Sequence, residues 1–186
     1  MVPEPFSLTY IVYDKDDGLF GWIMALMSLA PVVFVIVICS SILVHRDIHS
    51  CFLLVEMVSC TVLNQILKRI FRQERPGGVQ GTHGMPSDHS QFMSCLCIYL
   101  TLWIFNRVHL RAFSQNVIAV AILWIVWFLV VYGRIYLGEH SLPQVLVGVC
   151  VGLAYGLFWY YLDITDYSNV IDPLEREREL CDSKKD

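Results

Sequence analysis

The chain has 186 residues, 56% hydrophobic and 16% charged, with a formal net charge of −4. That balance is too apolar for a soluble domain of this size and points to a membrane protein, while the slight acidity leaves no basic face for nucleic acid. The seven cysteines show no zinc spacing, and those inside the apolar runs (Cys39, Cys60, Cys95, Cys97, Cys150) read as small packing residues.

Crossing about 30 Å of hydrocarbon at 1.5 Å per residue takes about 20 apolar residues in a helix. The start of the chain is acidic, with Asp14, Asp16 and Asp17, and is followed by an apolar run over residues 19–44. That run is longer than the core of a signal peptide, so the start is expected to stay attached. A second run, residues 50–67, carries Glu56, Asn64 and Gln65. It reads as a span, with a buried or re-entrant segment as the alternative, which would leave four. Runs over 90–106, 115–133 and 141–162 bring the expected count to five. From residue 163 the chain becomes a charged tail, with Glu175-Arg176-Glu177-Arg178-Glu179 as a solvated helix end. The expectation is one domain over 1–186, an all-α polytopic bundle.

If the helices alternate, one face carries Arg46, Arg107, Arg111, Arg176, Arg178, Lys184 and Lys185. The other carries Lys15, Lys68, Arg69, Arg72, Arg75 and Arg134. Lys68, Arg75 and Arg134 have a second use, given next. Without them, the excess of cytoplasmic positive charge puts the tail in the cytosol and residues 1–18 on the opposite side.

On that non-cytosolic face the chemically unusual residues assemble. Lys68 ends the second span and Arg75-Pro76 follows; Pro86-Ser87-Asp88-His89 opens the third; Arg134 ends the fourth; His140 precedes the fifth, with Gln144 one turn on. Ionisable groups this near hydrocarbon are costly unless they face a polar cavity and have partners. A phosphate group would supply the missing charge. Lys and Arg bind its oxygens, and a helix start adds free N–H groups and a favourable dipole. Asp88 and Gln91 stand three apart, as in a capping box. Two imidazoles near this cradle suit a proton donor and a nucleophile. Singly, each residue has a plainer role as an interfacial anchor, a cap or a loop residue; the joint spacing favours a site. His45, His49, His83 and His109 lack that context and read as interfacial or loop residues, and Glu56 as internally hydrogen-bonded or protonated.

Lys68-x6-Arg75-Pro76, then Pro86-Ser87-Asp88-His89, then Arg134-x5-His140-x3-Gln144 resembles the three-part signature of the type-2 phosphatidic acid phosphatase superfamily. Gly84-Met85-Pro86-Ser87 with His89-Ser90-Gln91-Phe92-Met93, and Arg134-Ile135-Tyr136-Leu137 with His140 and Gln144-Val145-Leu146, are similar to its dolichyldiphosphatase branch. The resemblance implies an endoplasmic reticulum membrane enzyme whose site faces the lumen. It would release phosphate from dolichyl diphosphate, recycling the lipid carrier for N-glycosylation. It further implies His140 as the nucleophile that forms a phosphohistidine, and His89 as the acid that later activates water. Lys68, Arg75, Ser87 and Arg134 would hold phosphoryl oxygens with backbone donors near Asp88, and no metal or other cofactor is expected.

Three positions depart from the general signature. Gly133 stands for Ser, removing a hydroxyl; Asp88 stands for Gly, placing a carboxylate beside the phosphate; Gln144 stands for the Asp that orients the nucleophile. An amide oxygen still accepts from the imidazole but stabilises imidazolium less than a carboxylate does. A diphosphate, with its better leaving group, tolerates that loss. Two other readings share these residues: a broader lipid phosphate phosphatase, and a membrane protein that binds a phosphorylated lipid without turnover.

Overall fold

The computed structural model describes residues 18–46, 48–76, 83–107 and 113–166. The acidic start with Lys15, the segment with His109 and Arg111, and the charged tail from residue 167 on lie outside them. Among the described residues six helices follow in order: α1 Gly18–Met27, α2 Ala30–His45, α3 Ile48–Phe71, α4 Asp88–Arg107, α5 Phe113–Tyr136 and α6 Leu142–Asp166.

All five expected segments are helical, but the first is broken. The axes of α1 and α2 differ by 41° across Ser28-Leu29. Pro31, in the first turn of α2, lacks the N–H that would bond the Met27 carbonyl and so interrupts the ladder there.

The five expected segments correspond to the α1–α2 pair, α3, α4, α5 and α6. By length and composition α3, α5 and α6 can each cross a membrane, and the bent α1–α2 pair makes a fourth if it counts as one span. Residues 50–67 lie within α3; α4 is less apolar, but its 20 residues run the length of the bundle, from Asp88 beside Lys68 at the end of α3 to Ile104, whose carbonyl accepts from Asn116 at the start of α5. The neighbours of α4 are protein more than lipid. Ser90, Gln91, Met93, Ser94, Cys95 and Cys97 on α4 are all buried, so its composition answers to partner helices and to the polar end of the bundle. On α5, by contrast, Ile118, Ile122, Ile125 and Phe128 are exposed, as a lipid-facing row should be. The chain is a multi-pass membrane protein.

The closest packing is between α4 and α6, where Gly148, Gly152 and Gly156 recur every fourth residue on α6. A Cβ on Gly148 would lie 2.8 Å from the Ser87 carbonyl oxygen, and one on Gly152 would collide with the Gln91 carbonyl. Small residues at this spacing let two backbones touch, which drives helix association in lipid. The seam brings the start of α4 against the start of α6.

Between α3 and α4 the contacts are polar. Asn64 Nδ2 donates to Gln91 Oε1 at 2.8 Å, Gln91 Nε2 donates to the Cys60 carbonyl at 3.2 Å, and Cys95 Sγ donates to Glu56 Oε1 at 3.2 Å. Glu56 is thus internally hydrogen-bonded, as expected. Gln91 is not part of a capping box, because its amide is spent on α3. His49, the second residue of α3 and half-buried, stacks its ring on Trp103 with centroids 4.3 Å apart, and its Nδ1 lies 3.4 Å from the Tyr99 hydroxyl.

Candidate active site

The eight residues singled out from the sequence meet at one end of the bundle. Lys68, buried in the last turn of α3, pairs through Nζ with Asp88 Oδ2 in the first turn of α4. The Ser87 N–H, just before α4, donates to the Gln144 carbonyl at 3.1 Å and so ties α4 to α6. The His140 N–H donates to the Arg134 carbonyl at 3.2 Å, closing the turn from α5 to α6.

Gln144 is the junction. Its Nε2 donates to the Glu74 carbonyl at 2.9 Å, which fixes the amide so that Oε1 is the acceptor. That oxygen takes the Ser141 N–H at 3.2 Å and His140 Nδ1–H at 3.3 Å. A neutral His140 therefore carries its proton on Nδ1 and its lone pair on Nε2. Gly84 leaves room for this arrangement, since a Cβ there would lie 2.8 Å from Gln144 Nε2 and 3.0 Å from Arg75 Cγ.

His89 is held from an unexpected direction. Its Nε2–H donates at 3.1 Å to the carbonyl of Ser28, at the break between α1 and α2. Arg134 Nη1 donates to the Ser28 hydroxyl at 3.3 Å. Ser28 thus engages Nε2 of the His89 ring, which leaves Nδ1 outside that bond, and brings a hydroxyl to Arg134 where Gly133 offers none. In sequence its only signal was Pro31, three residues downstream in an apolar run. Glu139 was also missed: its Oε2 lies 3.4 Å from Arg75 Nη1 and 3.5 Å from Arg134 Nη2. Adjacency to His140 was the available sign.

Three basic side chains thus face two carboxylates. Asp88 does not point away from the cradle but neutralises Lys68. Among the described residues Arg75 Nε and Arg134 Nε are buried and find no hydrogen-bond partner, an arrangement that suits an anion with several oxygens. An apolar cavity of about 320 Å³ adjoins the cluster, running from Asp88 and His89 between α2, α3 and α4 past Val32, Val35, Thr61 and Phe92.

Burial first, and then the charges of Arg134 and Arg75, push the His140 imidazolium down to about 4. A lowered histidine value favours the neutral ring, so Nε2 keeps its lone pair down to about pH 4 and loses it only below. In the ligand-free protein, NMR of labelled histidine, assigned by loss of the signal in His140→Ala, should show this ring titrating well below 6.5. A midpoint at 6.5 or above would mean that the pocket is solvated and the ring not shielded.

A family model described as the PAP2 superfamily matches residues 49–166. The chain is 30% identical over 167 residues to a dolichyldiphosphatase of Saccharomyces cerevisiae, covering 85% of this chain and 70% of that one. It is 31% identical to dolichyldiphosphatase 1 of Homo sapiens, covering 84% and 70%, and 28% identical to lipid phosphate phosphatase gamma of Arabidopsis thaliana, covering 84% and 72%. The crystal structure of a transmembrane PAP2-type phosphatidylglycerolphosphate phosphatase from Bacillus subtilis superposes with a TM-score of 0.65 over 84% of this chain and 81% of that one. At 21% identity that likeness is one of fold.

Proposed function

The chain belongs to the PAP2 superfamily, and from that premise we propose that it is a lipid diphosphate phosphatase that converts dolichyl diphosphate to dolichyl phosphate and phosphate. The observation that carries this reading is the His140–Gln144 pair, set among Lys68, Arg75 and Arg134 at the polar end of a membrane bundle. The chain's likeness to proteins named dolichyldiphosphatase supports the choice of lipid. The adjoining apolar cavity gives the first units of a prenyl chain a place beside the head group.

In the proposed reaction the terminal phosphate lies on Lys68, Arg75 and Arg134, with Ser87 and the α4 N–H groups completing the cradle. His140 Nε2 attacks phosphorus, and the bond to the bridging oxygen breaks. His89, entering the step as imidazolium with Nε2–H on the Ser28 carbonyl, gives its Nδ1 proton to that oxygen as dolichyl phosphate leaves. His89 then takes a proton from water, whose oxygen attacks the phosphohistidine, freeing phosphate and restoring His140. Throughout, Nδ1–H stays on Gln144 and keeps the ring in line. Fixed cations offset charge on the transferring group while alignment supplies the rest of the acceleration. The residues act where the diphosphate reaches the membrane surface, in the lumen of the endoplasmic reticulum, and the product would be the lipid carrier used in N-glycosylation.

Purified protein should release phosphate from dolichyl diphosphate faster than from phosphatidate. Chelator should leave the rate unchanged, and orthovanadate, as a mimic of five-coordinate phosphorus, should inhibit. Equal rates on both lipids would favour the broader lipid phosphate phosphatase, a reading supported by the Arabidopsis relative's name. Binding of the diphosphate without phosphate release would leave only a lipid-binding protein.

A further inference from the structure

Glu139 stands one residue before His140, with a single oxygen shared between Arg75 and Arg134 at 3.4 and 3.5 Å. Both guanidinium groups belong to the proposed phosphate cradle, and the inference rests on that reading. The carboxylate therefore sits where phosphoryl oxygens are expected. Its hold is loose. A settled charge-assisted N–H···O contact lies at about 2.7–2.9 Å, and a permanent arginine–carboxylate pair is commonly bidentate. Here one oxygen is divided between two arginines, and among the described residues the buried Nε of each finds no partner. The Glu139 side chain is 19% exposed, so it has a way out to water. A phosphoryl group in the same place has three oxygens for the donors that one carboxylate oxygen leaves idle. Asp88 differs, because it is closely paired with Lys68.

We infer that Glu139 is a displaceable counter-ion of the phosphate cradle: it neutralises Arg75 and Arg134 between turnovers, swings out when the substrate's phosphate arrives, and competes with inorganic phosphate for the same guanidinium groups afterwards. Three buried or half-buried cations repel one another in an empty pocket, and a carboxylate on the turn that carries the nucleophile relieves this until substrate arrives. After hydrolysis the same group limits how long the product stays.

The sign of one substitution separates this role from a scaffold role. A carboxylate that merely orients the arginines weakens anion binding when removed, whereas a competitor strengthens it. In Glu139→Gln, which keeps size but removes charge, inorganic phosphate and orthovanadate should bind about tenfold more tightly than in the wild type. Binding is read by inhibition and, for phosphate, by calorimetry on the detergent-purified full chain. KM for dolichyl diphosphate should fall while kcat does not rise, because product leaves more slowly. Glu139→Asp, one methylene shorter, keeps the charge but draws it back, and should give an intermediate gain. Unchanged or weaker phosphate binding in Glu139→Gln overturns the inference; if that variant does not fold, weaker or unchanged binding in Glu139→Asp does so. A wild type that neither binds phosphate nor hydrolyses dolichyl diphosphate would instead remove the phosphatase reading, and this inference with it.

Discussion

His140→Ala is expected to lower phosphate release from dolichyl diphosphate at least ~10⁴-fold, because residues that act as a unit around a nucleophile fail together when it is lost. The remaining cations still bind the head group, so KM should change little and the loss should lie in kcat. Removing the ring also leaves Gln144 Oε1 with only the Ser141 N–H, a small cost next to the missing nucleophile. The intermediate gives an independent check. With label in the terminal phosphate, wild-type protein should retain a protein-bound phosphate that survives alkali and is lost in acid, as a phosphoramidate does. His89→Asn should accumulate more of it: a phosphate leaving group departs with little help, while the second step still needs a base to activate water. A His140→Ala protein with undiminished turnover, or label that stays on the protein after His140 is gone, would overturn the assignment.

The separate fates of these residues explain how far the sequence could be read. Lys68, Arg134 and His140 were legible because an ionisable group at or beside a helix end near hydrocarbon is costly and the cost needs a reason, while Arg75 and Ser87 were legible through their spacing to these residues. The helices themselves were legible from apolar length. What escaped was set by three-dimensional neighbours. Ser28 looks like a small residue in an apolar run until the break at Pro31 turns its carbonyl toward His89. Asp88 resembles a cap, and only the arrival of Lys68 from α3 shows it to be a counter-ion. The polar make-up of α4 has the same origin. Hydropathy asks whether a segment prefers lipid, and α4 is mostly surrounded by other helices, where buried Ser, Gln and Cys find partners such as Asn64 and Glu56.

The glycine stripe on α6 connects this packing to the chemistry. His140 and Gln144 stand at the start of α6, and Ser87 and His89 at the start of α4, so the distance between the two helix axes sets the distance between the two imidazoles proposed to carry the chemistry. At Gly148 a new Cβ would lie 2.8 Å from the Ser87 carbonyl oxygen and 3.3 Å from both the Ser87 nitrogen and Ser90 Cβ. The obstacle is backbone and helix, with no flexible side chain to move aside. Gly148→Ala should therefore push the start of α4 outward by a few tenths of an ångström or more, and a misplacement approaching 1 Å costs about 10²-fold in rate. Gly156 meets the Cys95 carbonyl and Ile98, two turns further from the site. Gly156→Ala should cost comparable stability, about 1–3 kcal/mol for overpacking, with a smaller loss of turnover per folded molecule. Thermal unfolding in detergent and kcat, measured on both variants, separate the two effects. Equal losses of kcat at 148 and 156 would mean that the seam only holds the bundle together; a loss graded toward residue 148 means that it also sets the spacing of the two imidazoles.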